Sequence, residues 1–104
     1  MRICVISGFA IETPPKSYGG LEWISYLSAE YFASRGFDVT LIASKGSRAP
    51  PNCELIETVK PSFFNAEEEA WKMYKDLVNG FDVIIDHTHL FYAYQAKLKN
   101  PKLK

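Results

Sequence analysis

Two short stretches carry residues whose types and spacing suit chemistry. One is Pro14-Pro15-Lys16-Ser17-Tyr18-Gly19-Gly20-Leu21-Glu22, and the other is Asp86-His87-Thr88-His89. Gly19 and Gly20 stand where a helical pattern begins. Backbone N–H groups at a helix N-terminus lack intrahelical partners and sit at the positive end of its dipole. Glycines let an anion approach that backbone, so this loop can hold a phosphate. The same pair also reads as a tight turn that needs glycine for its geometry alone. In the second stretch, His87 and His89 point the same way if the segment is extended. They are the only two histidines, and no third strong ligand accompanies them, so no metal site is expected. A polar pocket wall or a general acid–base role fits them. So does a hydrogen-bonded pair at a strand end.

A dinucleotide site is not expected. There is no G-x-G-x-x-G, since Gly8 alone lies near the first apolar run and the next glycine is Gly19. Ser44 stands where a ribose-binding acid would end the second strand. A Walker loop is absent as well, and no cofactor is expected.

The elements that must position these stretches follow from patterning. Arg2 to Ser7 is a nearly continuous apolar run, which suits a strand buried on both faces. Gly8 opens a loop that Pro14 and Pro15 keep extended. A helix is predicted over Gly20 to Arg35, with Ile24, Leu27 and Tyr31 on its apolar stripe and Gly36 as its C′ residue. Phe37 to Ala43 is a second strand, and Cys53 to Val59 is a weaker third one at an edge. Asn65 with Glu68 reads as a capping box. The helix that it opens carries Ala70, Tyr74 and Leu77 on one face and closes at Gly80. Phe81 to Asp86 is the fourth strand, and Leu90 to Leu98 suits a last helix.

This alternation predicts an α/β, Rossmann-like parallel sheet with helices on both faces. Right-handed crossovers give the strand order 3-2-1-4. Ligands in such sheets bind beyond the carboxyl ends of the strands, at the switch point. Both chemical stretches leave from there. Cys4 and Cys53 are then separated by the second strand and are expected to be reduced thiols. Phe63 and Phe64 are expected to tuck a loop onto the core, and Glu67, Glu68 and Glu69 to be solvated. Over 104 residues, 47% are hydrophobic and the formal net charge is zero. One domain follows, and nothing in the charge suggests a nucleic-acid partner. No apolar run reaches membrane-spanning length, and no signal-peptide pattern opens the chain. A cytoplasmic location is the default expectation.

The chain resembles the start of a family-4 glycosyltransferase of the GT-B fold. The matching pieces are Arg2-Ile-Cys-Val-Ile-Ser, Pro14-Pro15 with Tyr18-Gly19-Gly20-Leu21-Glu22, Arg35 to Leu41, and Phe81 to His87. The chain departs from that family at Ile85, where a first histidine often stands. The resemblance implies a truncated acceptor-side domain, residues 1–104. Its parent reaction is retaining transfer of a sugar from a nucleotide-sugar to a sugar or lipid acceptor. Gly19 and Gly20, with Lys16, would face the donor phosphate, and His87 would be the catalytic-side residue. Tyr18, Glu22, Asp86 and His89 would line the acceptor side or the pocket. The resemblance implies no metal and no activity for a chain without the donor domain. Two alternatives stand beside it: a subunit of a split glycosyltransferase, and a non-catalytic interaction module. Self-association, or pairing with a partner chain, is expected through the free edge of the fourth strand or the faces of Leu90, Phe91 and Tyr94.

Overall fold

The computed structural model describes residues 1–15, 20–62, 65–88, 92–94 and 98. Its elements are β1 (Arg2–Ile6), α1 (Gly20–Ser34), β2 (Asp38–Ala43), β3 (Cys53–Glu57), α2 (Ala66–Tyr74) and β4 (Val83–Asp86), with a 3-10 turn at Val78–Gly80. The four strands form one parallel sheet in the order β3-β2-β1-β4. This is the predicted order.

Past their exposed first residues, Arg2 and Asp38, the two central strands are buried and, Thr40 aside, apolar. Ile3, Val5, Val39 and Leu41 pack on one side of the sheet with Ala29 of α1. Cys4, Ile6 and Ile42 pack on the other with Ala70 and Tyr74 of α2. A strand covered on both faces has no position for a solvated side chain within its covered part. At the margins β3 and β4 are half-buried, so β3 can place Glu54 and Glu57 in solvent. Cys4 and Cys53 are both free, with β2 between their strands. Burial, then the charge of Asp86, pushes the Cys4 thiol up to about 12, which keeps it protonated and unreactive.

The end of α1 follows its sequence. Gly36 has φ +90°. Its N–H donates to the Ala33 carbonyl at 3.1 Å, and the Phe37 N–H donates to the Phe32 carbonyl at 3.2 Å. This pair of bonds is a Schellman cap, which needs a left-handed residue at C′.

The face of α1 differs from expectation. Ile24, Leu27 and Tyr31 are 51%, 53% and 57% exposed. Ser25 and Ala29 are buried instead, with Phe32 and Ala33 partly covered. Two stripes on this helix repeat at helical spacing. The smaller residues let the helix lie closer to the sheet, so they take the inner face.

Two further corrections concern α2. It ends at Tyr74, not at Gly80. Ala66, Ala70 and Tyr74 are buried, while Leu77 lies past the helix end and is exposed. Asn65 does precede the helix, but its φ of 55° is left-handed and its side chain makes no cap hydrogen bond. A side-chain cap requires an extended N-cap residue, so the expected capping box with Glu68 does not form. Phe63, Phe64 and most of the predicted Leu90 to Leu98 helix lie outside the described residues. No helix among the described residues is long and apolar enough to cross a membrane.

Candidate functional site

The site lies beyond the carboxyl ends of β1 and β4, and three connections meet there. The loop after β1 is fastened by hydroxyls. Ser7 Oγ lies 2.6 Å from Thr13 Oγ1, and the Thr13 N–H donates to Ser47 Oγ at 2.8 Å. Ser44 Oγ donates to the Ile11 carbonyl at 2.9 Å. The Arg48 N–H donates to the Thr13 carbonyl at 2.8 Å. All four hydroxyl residues are buried. They tie the β1–α1 loop to the β2–β3 loop and satisfy polar groups that would otherwise be costly to bury. The Ser62 N–H donates to the Phe9 carbonyl at 3.1 Å, which brings in the connection to α2.

Between these loops is a cleft of about 300 Å³, lined by Gly8, Phe9, Glu22, Asn65, Glu67 and Tyr92, among others. Glu22, in the first turn of α1, is only 7% exposed. Its carboxylate lies directly over Gly8, where an added Cβ would collide with it. No hydrogen bond or ion pair holds that carboxylate among the described residues. Its oxygens are not among the fully buried, partnerless ones, so they keep contact with water in the cleft. The cleft is where a ligand donor would reach it.

At the end of β4, the His87 N–H donates to the Ile6 carbonyl at 2.9 Å. His87 Nδ1 is 2.8 Å from Ser25 Oγ on α1. That bond joins the two chemical regions and fixes the ring's orientation. The neighbouring Asp86 accepts from the Thr88 N–H at 2.8 Å and from Thr88 Oγ1 at 2.6 Å, both on Oδ1. Its Oδ2 is buried without a hydrogen-bond partner.

Burial lowers the His87 pKa, and the charge of Asp86 opposes that shift. The imidazole is therefore neutral at pH 7. An unfolded chain, with an ordinary histidine near 6.5, binds the proton first as pH falls. The stability due to neutral His87 is full above about pH 6.5 and is lost as pH drops through the folded-state value. Urea denaturation across this range should show that loss, and His87→Gln should reduce it. An unchanged pH slope in the variant would contradict the reading.

The structure places the predicted residues unevenly. Gly20 opens α1 and is exposed, with nothing within 4 Å of where a Cβ would stand. Glu22, Asp86 and His87 lie at the carboxyl end of the sheet, while Lys16, Tyr18, Gly19 and His89 lie outside the described residues. Sequence reasoning missed Ser25, the cleft role of Gly8 and the hydroxyl clamp. Glu68 and Glu69 are exposed as expected and Glu67 is half-buried, but that Glu67 and Glu68 border the cleft was not foreseen. The one available signal was Gly8 itself, a glycine directly after a buried strand. Among the described residues, no group of three or more His, Cys, Asp or Glu side chains is disposed to hold a metal.

No family model matches the chain, and no curated protein matches it. Solved structures do. The DNA/pantothenate metabolism flavoprotein from Streptococcus pneumoniae is similar at 21% identity and a TM-score of 0.60, over 85% of this chain and 39% of that one. The C-terminal domain of the coenzyme A biosynthesis bifunctional protein CoaBC is similar at 18% identity and a TM-score of 0.58, over 83% and 43%. The chain thus spans about two fifths of each. At these identities the likeness is one of fold.

These findings correct the glycosyltransferase expectation. The neighbours are a flavoprotein and a coenzyme A biosynthesis domain, not glycosyltransferases, and no family model supports that assignment. The nucleotide-sugar donor, the sugar or lipid acceptor and the split-enzyme alternative fall with it. The reason is physical. Besides the Pro14-Pro15 and Tyr18-Gly19-Gly20-Leu21-Glu22 loop, the residues behind the resemblance are two apolar strands and a C′ glycine. Such features are common to Rossmann-like sheets of unrelated function.

Proposed function

We propose that this chain is a Rossmann-like ligand-binding unit that holds a hydroxyl-bearing cofactor or metabolite of the flavin, pantothenate or coenzyme A kind. The carboxylate of Glu22, which meets no hydrogen-bond donor among the described residues and belongs to a largely buried side chain at the β1–β4 switch point, carries this reading. Three carboxylates, Glu22, Glu67 and Glu68, border the cleft, and among the described residues no lysine or arginine does. Such a lining accepts hydrogen bonds from hydroxyls and repels phosphate. The hydroxyl-rich part of the ligand therefore lies in the cleft, with any phosphate outside it. Tyr92 and Phe9 supply apolar surface. The fold shared with the two solved proteins supports this ligand class. Two free thiols suit a reducing compartment such as the cytoplasm.

Calorimetric titration with pantothenate, flavin mononucleotide and coenzyme A tests this. At least one should bind, and Glu22→Gln should weaken it about tenfold or more, as expected for one charge-assisted hydrogen bond. No heat from any of the three at millimolar ligand would overturn the proposal.

A further inference from the structure

We propose that the outer face of α1 is the interface of a symmetric dimer of this chain. The helix turns Ser25 and Ala29 to the sheet and leaves Trp23, Ile24, Leu27 and Tyr31 outward, each more than a third exposed. A helix on the surface of a domain ordinarily carries charge on that side. Here Glu30 is the one charged residue on the outward face between Trp23 and Tyr31. The four side chains present roughly 400 Å² of mostly apolar surface, at the size where exposed patches mark contact sites. Phe37, also exposed, extends the patch past the helix end.

The occupant is argued from area and symmetry. Two such patches facing each other bury roughly 800–1,000 Å² through the stripes and Phe37, and rim residues such as Gly20, Glu30 and Ser34 bring the total into the range of specific interfaces. Trp23, Leu27 and Tyr31 are spaced by four, symmetrically about Leu27. A two-fold axis through Leu27 sets Trp23 of each copy against Tyr31 of the other and the two Leu27 side chains against each other. Spacing by four is also the ridge that interlocks when two helices cross at about 50°. Every contact in such an isologous arrangement is made twice. The formal net charge of zero leaves no overall repulsion between copies. This inference concerns a different surface from the cleft and does not depend on what the cleft binds.

Sedimentation equilibrium of the full chain tests it. A dimer with a micromolar dissociation constant is expected. Leu27→Glu and Tyr31→Lys should each weaken it about thirtyfold or more, with unchanged far-ultraviolet circular dichroism. Met73→Glu, at an exposed apolar position on α2, should leave it intact. In a Cys53→Ser background, Leu27→Cys should form an interchain disulfide under mild oxidation, because the two-fold axis brings these positions together. A wild-type chain that stays monomeric at about 200 μM, well above a micromolar dissociation constant, would overturn the proposal. So would a dimer that survives both α1 substitutions, as one paired through the edge of β4 would, or a failure of the cysteine to cross-link.

Discussion

Truncating Tyr74 to alanine is expected to destabilise the fold by about 3–5 kcal/mol. Tyr74 is among the largest fully buried side chains, at 1% exposure. Its ring stacks on Phe9 at 6.0 Å and meets Trp71 edge-on at 5.2 Å. Removing it opens a cavity between α2 and the sheet that backbone pinned by parallel strands cannot close. A domain of this size has about 5–15 kcal/mol in total, so the variant would sit near the threshold of folding. Its urea midpoint should fall by on the order of 2 M. Tyr74→Phe keeps the rings and should lose no more than about 1 kcal/mol, because no hydrogen bond holds the hydroxyl among the described residues. Burial, followed by the charge of Asp86, pushes the ionisation of that hydroxyl far up, so it is neutral throughout. Phe9 borders the cleft. Ligand affinity should therefore fall in Tyr74→Ala even where cold or a stabilising salt keeps it folded. An alanine variant as stable as the wild type would show that the α2 side of the core is not as closely packed as described.

The second large effect is at Gly8. A methyl group there collides with the Glu22 carboxylate, so Gly8→Ala must push that group out of its position or move α1. The atom met is the far end of a flexible side chain, so the shift itself costs little stability and the effect falls on binding. Ligand affinity should drop about tenfold or more as the carboxylate leaves the cleft. Pairing Gly8→Ala with Glu22→Ala separates the two effects, since residues in contact are not additive. The double variant has no collision, should be about as stable as Gly8→Ala or more so, and should remain weak in binding. Recovery of binding without the carboxylate would remove Glu22 from the account.

The fold was largely legible in the sequence, and the site was not. Ile3 to Ile6 and Val39 to Ala43 announce strands covered on both sides, and once four such elements are ordered, crossover handedness leaves little choice of topology. Gly36 marks the end of α1 because only a residue tolerant of positive φ fits there. The facing of α1 was not legible, because two apolar stripes compete and the choice depends on how closely Ser25 and Ala29 approach the sheet. Asn65 misled for a related reason. A residue type suited to capping does not fix its own backbone angle. The pair of Ser25 and His87 joins positions 62 residues apart, and Ser7, Thr13, Ser44 and Ser47 come from two separate loops. Sequence spacing holds no trace of such contacts. The motif that pointed to glycosyl transfer failed because it describes how a strand hands over to a helix, and that is shared by proteins with unrelated chemistry.

The most direct test of the cleft is a titration of ¹⁵N-labelled chain with pantothenate, flavin mononucleotide and coenzyme A, followed by amide resonances. Saturable shifts are predicted at Gly8, Phe9, Glu22, Asn65 and Tyr92, with smaller ones at His87 and Thr88. Shifts confined to Arg2, Glu54 and Phe81, which border a separate hollow at the amino end of the sheet, would contradict the account. No shift with any of the three ligands would contradict it as well.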